Sequence, residues 1–346
     1  MSLQKWFPWT KSPLIINAPM GSYAKSSLAI AVTKAGGLGQ IGATDDMRDL
    51  SLELSKVEKA LIRTSNDDLL PIGVGLLTFV TKKETALSVL RKYRPAVVWL
   101  FASHELSDYA EWIRAIREVL PKSKIFVQVS SVAASLDVVR EEEGRPDVLC
   151  IQGIDAGGHG WERGASIVSL LPEVIDNLTK NGYDIPVVAA GGIADGRGAA
   201  AAFTLGAQGV VLGTRFLSAP ETHMHPEYRA AVLAAMDGGQ STVRSKVFDE
   251  LRGPNKWPVL YDGRSIRNAS FIEHNEGVGI EEIRKRHTEA MRSDTAGYSS
   301  ELKAGRAATW AGTGVGLVKV EQPAAEIVED VRAGIVAAID AAKARL

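Results

Sequence analysis

The sequence is nearly devoid of cysteine. Cys150 stands alone among 346 residues, inside an apolar run and with no second thiol to pair with. This excludes an intramolecular disulfide and a thiolate metal cage, and it is typical of a reducing compartment. Because free cysteine is commonly a core residue, we expect Cys150 to be buried.

The sequence also lacks an excess of either charge. Its 40 Lys and Arg residues nearly cancel its 41 Asp and Glu residues, and no long basic block interrupts them. The sequence therefore shows no basic surface of the kind that binds nucleic acid or an anionic membrane. The expected partners are small molecules, and the sequence leaves a homodimer open.

No apolar run is long enough for a comfortable membrane span of about 20 residues. Residues 198–214 are uncharged, but Gly206 and Gly209 divide them into an Ala-rich helix and a short strand. The first residues lack the basic-then-apolar order of a secretion signal. We expect a cytoplasmic protein, or a peroxisomal one if Ala344-Arg345-Leu346 acts as the small-basic-leucine import tripeptide.

Short β-rich or apolar runs recur along the first two thirds of the chain, with room for a helix after each. Repeated strand and helix in this order indicate a parallel sheet. Eight repeats in just over 200 residues favour a closed TIM (β/α)8 barrel over an open doubly wound sheet. The eight predicted strands are residues 14–19, 38–42, 72–77, 97–101, 125–129, 148–153, 187–191 and 209–213.

The pattern changes after the eighth strand, which predicts three parts. Residues 1–220 form the barrel, and residues 221–310, polar and without a further strand repeat, form a smaller helical domain or lid. Residues 311–346 form a closing segment. Within it, Ile327, Val331, Ile335 and Ile339 lie four apart, so this helix is expected to pack back onto the barrel.

Barrel enzymes react at the carboxyl ends of their strands, which selects the candidate site residues. Phosphate in this fold usually binds between the loops that follow strands seven and eight, at exposed N–H groups. Gly191, Gly192, Gly213 and Thr214 occupy those loops, although glycines can also serve only to make tight turns. The other candidates on this rim are Ala18, Pro19, Met20, Gly21, Ser22, Gly75, Ser103, His104, Gln128 and His159.

His159 is the predicted catalytic residue, because Gly157 and Gly158 leave its imidazole exposed at the end of a predicted inner strand. An imidazole titrates near neutrality and can accept a substrate proton or stabilise a bound anion. His104 is the rival on the same rim. No metal site is predicted, since the pair His223 and His225 has no third ligand nearby.

A glycine-rich motif near the end of the chain carries little functional signal. Gly312-Thr313-Gly314-Val315-Gly316 lacks the spacing and the strand-turn-helix setting of a nucleotide loop, so we expect a flexible segment over the barrel mouth. The sequence also contains no serine elbow, which removes support for acyl hydrolysis.

Four segments together resemble the nitronate monooxygenases, formerly called 2-nitropropane dioxygenases. The resemblance runs in order along the barrel and extends to residues 310–318. It is carried by Asn17-Ala18-Pro19-Met20-Gly21, by residues 153–160, by Ala190-Gly191-Gly192-Ile193-Ala194-Asp195-Gly196-Arg197 and by Leu212-Gly213-Thr214-Arg215-Phe216.

The resemblance implies a TIM barrel that binds FMN and oxidises alkyl nitronates with dioxygen to a carbonyl compound and nitrite. His159 matches the catalytic histidine, which deprotonates a nitroalkane or helps to bind the nitronate. FMN-contacting positions match Met20, Gly21, Gln128, Gly158, Gly191, Gly192, Gly213 and Thr214, and the predicted cofactor set adds Ala18, Pro19, Gly75 and Gly157.

Two departures from the pattern bear on flavin chemistry. Better-studied bacterial members carry Asn at the position of Gly75 and Lys at the position of Gln128. A neutral amide should favour a reduced, anionic flavin less than a positive charge does. Two other functions stay open: an NAD(P)H-dependent enoyl reductase on the same flavin barrel, and a non-catalytic flavin-binding module.

Overall fold

The computed structural model describes residues 3–43, 45–65, 67–301 and 303–346. In this part of the chain the strands are β1 (Ile15–Asn17), β2 (Gln40–Gly42), β3 (Leu70–Leu77), β4 (Pro95–Phe101), β5 (Lys124–Val129), β6 (Val148–Gln152), β7 (Gly158–Trp161), β8 (Val187–Ala190), β9 (Gly209–Leu212), β10 (Thr242–Ser245) and β11 (Tyr261–Ile266).

The helices of the same ranges are α1 (Ser26–Lys34), α2 (Met47–Ala60), α3 (Lys83–Tyr93), α4 (Asp108–Val119), α5 (Val132–Arg140), α6 (Ile167–Lys180), α7 (Gly196–Thr204), α8 (Pro226–Ala234), α9 (Gly238–Ser241), α10 (Val247–Glu250), α11 (Ala269–Asn275), α12 (Ile280–Ala290) and α13 (Ala324–Lys343). Short 3-10 helices cover Leu3–Lys5, Thr214–Ser218 and Thr313–Leu317.

Within these ranges, eight strands form one parallel sheet in the order β1-β9-β8-β6-β5-β4-β3-β2. Isolated parallel bridges from Ile16 to Leu38 and from Gly21 to Gly42 join its two edges, so the sheet is a nearly closed barrel. Each of the eight predicted strands is present. The predicted TIM barrel is therefore confirmed.

Alternation along the strands separates two apolar layers. In β4, Val98 and Leu100 belong to the large core between strands and helices. Val97, Trp99 and Phe101 belong to a second cluster, as expected for residues that fill a barrel interior. Cys150 lies in this second cluster and is fully buried, as predicted.

The helices begin and bury their apolar stripes as ordinary amphipathic helices do. Ser131 and Asp195 accept hydrogen bonds from backbone N–H groups at the starts of α5 and α7, which satisfies donors left free at a helix N-terminus. α4 buries Tyr109, Trp112 and Ile116 along one stripe. The last helix, α13, packs against α7 and α1.

Residues 198–214 divide as predicted into the end of α7 and strand β9. Among the described residues no helix combines the length and the apolar character needed to cross a bilayer.

The region between β9 and α13 differs from the purely helical expectation. It contains five helices of the described chain and also β10 and β11, which form an antiparallel sheet with β7 from the β6–α6 connection. These strands carry Arg244, Asp262 and Arg264, so they lack the apolar signal of the barrel strands. The small sheet brings the inserted region against the β6–α6 connection, which carries His159.

Candidate active site

A cavity of about 540 Å³ opens at the carboxyl ends of the barrel strands. It is lined by Ala18, Pro19, Met20, Gly21, Gly75, Gln128, Gly157, Gly158, His159, Gly191, Gly192, Gly213 and Thr214, which are all the residues of the predicted site. The rim residue Ser22 lies there too. The size is within the range of roughly 300–1,000 Å³ that is usual for small-molecule and cofactor sites.

The loop after β1 forms one wall of the cavity, and Asn17 anchors it. The Asn17 side chain accepts a hydrogen bond from the Gln40 backbone N–H (2.8 Å) and donates one to the Gln40 carbonyl oxygen (2.9 Å). Both residues are fully buried. This double contact links β1 to β2 where the barrel closes, which explains why an amide begins this motif.

Gly75 lets the same loop approach strand β3. A Cβ atom at Gly75 would lie 2.4 Å from the Cβ of Pro19, closer than packed atoms can come. The loop therefore occupies space that a side chain at this position would need. With any side chain at position 75, Pro19 would have to move.

The loops after β8 and β9 form a second wall made of backbone. Gly191 and Gly192 have φ values of +103° and +75°, which favour glycine. A Cβ at Gly213 would make an ordinary van der Waals contact with the Cβ of Ala18 at 3.5 Å, so this position has room for a small side chain. The Thr214 hydroxyl accepts a hydrogen bond from the backbone N–H of Gly312 (2.9 Å).

The Gly312–Gly316 motif is part of this wall, which agrees with its expected place over the barrel mouth; the flexibility of the segment stays a prediction. Residues Thr313–Leu317 form a 3-10 helix, and Gly312 and Gly314 line the cavity. The motif packs closely on the loop after β8. A Cβ at Gly314 would lie only 3.0 Å from the carbonyl oxygen of Gly192. The glycines of the motif allow backbone to pack on backbone.

Gln128 reaches the cavity from β5, and Trp99 of β4 fixes its amide. The indole Nε1 of Trp99 donates a hydrogen bond to Oε1 of Gln128 (3.1 Å). With its oxygen engaged in this bond, the amide has its NH₂ group left to donate to a ligand.

His159 lies on β7 and not at the end of an inner strand as predicted. Its backbone pairs with Gly263 of β11, and its carbonyl oxygen accepts a hydrogen bond from the Gln152 side chain (3.1 Å). The ring stacks on Trp257 with centroids 3.7 Å apart and planes at 9°. Trp310 lies at 4.7 Å from it in a tilted arrangement.

The Nε2 atom of His159 lies 2.6 Å from Oδ1 of Asp249, a residue of α10 in the inserted region. The side chain of Asp249 is 6% exposed and that of His159 is 17% exposed, so the pair is largely shielded from water. Asp249, Trp257 and Trp310 were not singled out as site residues. Asp249 and Trp257 lie in a polar stretch without periodic pattern, whereas Trp310 begins a segment of the family resemblance.

The other candidate histidines lie elsewhere. His104 does not line the cavity, and its ring meets the edge of Phe79 at 6.2 Å. His225 accepts a hydrogen bond from the Glu227 backbone N–H through Nδ1 and so caps α8. No cluster of three or more potential metal ligands occurs among the residues that the structure describes.

Two phenols complete the cavity wall on the side of the inserted region. The Tyr228 hydroxyl donates a hydrogen bond to the carbonyl oxygen of Trp310 (3.0 Å), and the rings of Tyr23 and Tyr228 lie 5.3 Å apart. Burial raises the pKa of both phenols well above the ordinary value. Both therefore remain neutral hydrogen-bonding groups at physiological pH.

Comparison with known proteins assigns the chain to a family. A family model described as nitronate monooxygenase matches residues 5–334. Nitronate monooxygenase npaC of Metarhizium robertsii is 42% identical over 338 residues, which cover 96% of this chain and 93% of that protein. A nitronate monooxygenase of Neurospora crassa is 40% identical over 356 residues, covering 95% and 91%.

Solved structures agree on the architecture. FabK from Thermotoga maritima superposes with a TM-score of 0.76 at 25% identity, over 99% of this chain and 98% of that one. A nitroalkane oxidase from Streptomyces ansochromogenes superposes with a TM-score of 0.74 at 25% identity, over 98% and 99%. The chain is an oxidoreductase with a TIM-barrel fold, and it belongs to the nitronate monooxygenase family.

Proposed function

We propose that the cavity binds FMN and that the protein uses it to oxidise alkyl nitronates with dioxygen to a carbonyl compound and nitrite. The observation that carries the proposal is the convergence of the backbone wall and one imidazole on a single cavity. Membership of the family supports the reaction class, and the nitroalkane oxidase among the structural neighbours supports the substrate class.

The glycine-rich wall suits the phosphate end of FMN. Gly191, Gly192, Gly213 and Thr214 would hold the phosphate with backbone N–H groups and one hydroxyl, as helix starts and glycine loops do for anions. Gly213 and Gly158 line the cavity with backbone alone, and a Cβ at either would make only ordinary contacts, at 3.5 and 3.9 Å. The residues present therefore fit the cofactor.

The barrel interior suits the ring system. Met20, Gly21 and Gln128 would contact it, with the Gln128 amide donating from a fixed orientation. Bound FMN would supply the redox chemistry that amino-acid side chains lack. The role of the protein is to place the substrate and to exclude water from the reacting atoms.

His159 would handle the substrate proton. With a neutral nitroalkane, the imidazole accepts the proton from the carbon that bears the nitro group; a preformed nitronate has already lost this proton. Trp257 stacks on the ring and Trp310 contacts it at a tilt, so the two indoles hold the imidazole in place for the proton transfer. General-base assistance of this kind contributes about 10²–10⁴-fold in rate.

Anaerobic flavin reduction tests the proposal. The purified protein, reconstituted with FMN where necessary, is mixed without oxygen with ethyl nitronate and, in a separate experiment, with NADH. We expect the flavin absorbance to bleach with the nitronate and to change little with NADH. Admission of dioxygen should then restore the absorbance and release nitrite and acetaldehyde.

The same experiment identifies the competing functions. Bleaching by NADH and not by the nitronate would replace the proposal with the enoyl reductase function. A yellow protein inert to nitronate, NADH and oxygen would indicate a flavin-binding module without catalysis.

A further inference from the structure

Asp249 is a buried carboxylate whose environment does not stabilise its negative charge in the way that a structural ion pair would. It lies on a short helix of the inserted region, about ninety positions from His159 in the chain, yet its Oδ1 atom lies 2.6 Å from the His159 Nε2 atom. Within the described ranges no Lys or Arg side chain forms an ion pair with it. Its second oxygen, Oδ2, is buried without a hydrogen-bond partner.

Burial of a carboxylate without a cation is costly, because the charged form loses its hydration. A folding role alone would be served better by an apolar side chain, since Phe248 and Leu251 on either side of Asp249 are buried in an apolar cluster. A carboxylate is useful here if the neighbouring ring becomes positively charged for part of a reaction cycle.

The contact distinguishes the two nitrogens of the ring. When Asp249 accepts the Nε2–H proton, the neutral imidazole carries its lone pair on Nδ1. Nδ1 makes no hydrogen bond within the described part of the chain, and the protein does not enclose it. The stack on Trp257 and the contact with Trp310 restrict rotation of the ring.

We propose that Asp249 is a positioning residue that keeps the His159 proton on Nε2 and stabilises the imidazolium formed when Nδ1 accepts a proton from a neutral nitroalkane. In this step the C–H bond next to the nitro group breaks, the proton moves to Nδ1, and the electron pair moves into the nitro group to give the nitronate. The inference rests on the proposed function and distinguishes two classes of its substrate. Neutral nitroalkanes need the base, whereas preformed nitronates do not.

The test compares Asp249→Asn with Glu250→Gln. Both variants remove one negative charge from the same helix, but no described ion pair or side-chain hydrogen bond joins Glu250 to His159. For Asp249→Asn we expect kcat/KM on nitroethane to fall about 10- to 1,000-fold and kcat/KM on ethyl nitronate to change less than about threefold. Glu250→Gln should leave both values unchanged. An equal loss on both substrates, or no loss, would overturn the proposal.

A second readout does not depend on activity. In protein labelled with ¹⁵N-histidine, the His159 signals are assigned as those lost in His159→Asn. We expect the Nε2–H tautomer in the wild type and a changed proton distribution in Asp249→Asn and Asp249→Leu. An unchanged distribution in both variants would refute the positioning role. Should the wild type oxidise neither substrate, the proposed function fails, and the tautomer measurement still decides the role of Asp249.

Discussion

Trp99 and Gln128 are joined by a hydrogen bond inside the barrel, from the indole Nε1 to the amide Oε1 at 3.1 Å. Both side chains are buried, and both line the cavity. The bond leaves the NH₂ group of the amide free to donate to a ligand. The pair therefore provides a neutral donor on this side of the cavity.

Removal of the indole donor should weaken cofactor binding. In Trp99→Phe the Gln128 amide is free to rotate, and the loss of one neutral hydrogen bond corresponds to about 2- to 10-fold in affinity. We expect the Kd for FMN, measured by quenching of flavin fluorescence, to rise by this factor. Trp6→Phe, a substitution outside the cavity lining, is the control. An unchanged Kd in Trp99→Phe would show that the bond has no influence on the cofactor.

His159→Asn should separate proton transfer from flavin binding. The amide cannot act as a base at neutral pH, so we expect turnover of nitroethane to fall about 10²–10⁴-fold. FMN content should stay at the wild-type level. Steady-state oxygen consumption with nitroethane and with ethyl nitronate measures the effect, and full turnover on both substrates would remove His159 from the mechanism.

Alanine substitutions at two glycines of α7 should change the free energy of unfolding in opposite directions. A Cβ at Gly196 would lie 2.3 Å from the carbonyl carbon of Gly334, so Gly196→Ala forces α7 and α13 apart and should cost about 1–3 kcal/mol. A Cβ at Gly198 would have its nearest neighbour at 3.6 Å. Gly198→Ala should therefore stabilise by about 0.5–1 kcal/mol through helix propensity. Urea denaturation of both variants checks the pair, and equal signs would contradict it.

His287 should make the stability depend on pH in the acidic range. Burial, together with the positive charges of Arg252 and Arg306, lowers the pKa of this imidazole below its ordinary 6.5. The unfolded state therefore takes up a proton first as the pH falls. The contribution of His287 to the free energy of unfolding is fully present above about pH 6.5. It decreases as the pH falls toward the lower pKa of the folded state.

The measurement compares Tm at about pH 7.5 and at about pH 5.5, on either side of the ordinary imidazole pKa. His287→Gln should show a smaller drop in Tm than the wild type. His274→Gln, at an exposed position of α11, should show the same drop as the wild type. A drop that is unaltered in His287→Gln would contradict the assignment.

The barrel could be predicted because its signal is local. Each inner strand is a short apolar run buried on both faces, so β4 and β5 were located within two residues of their ends. The cavity residues followed from the same logic, since parallel strands bring their carboxyl ends to one rim. The sequence therefore predicts that glycines at those ends line one cavity.

The small sheet and the aspartate could not be predicted in this way. Strand β7 pairs with β11 about a hundred positions away, and neither carries an apolar run. Asp249 becomes significant only when this sheet brings the inserted region against His159. The position of an isolated polar residue in a polar stretch depends on tertiary contacts, and sequence periodicity does not report them.

A side chain at Gly213 shows most directly whether this cavity holds FMN. Its φ of −101° suits other residues, and a Cβ there would make only an ordinary contact with Ala18 at 3.5 Å. Gly213→Val should therefore fold while placing its methyl groups in the wall proposed to hold the phosphate. Gly279→Val, at a helix start with φ −63° and no neighbour within 4 Å of a Cβ, is the matched control.

The measurement is the visible absorbance spectrum of the three purified proteins after incubation with FMN and gel filtration, with circular dichroism to verify folding. If the cavity holds FMN, the oxidised flavin bands appear in the wild type and in Gly279→Val and are lost in folded Gly213→Val. Full flavin content in Gly213→Val, or a wild-type protein that takes up no FMN, would contradict it.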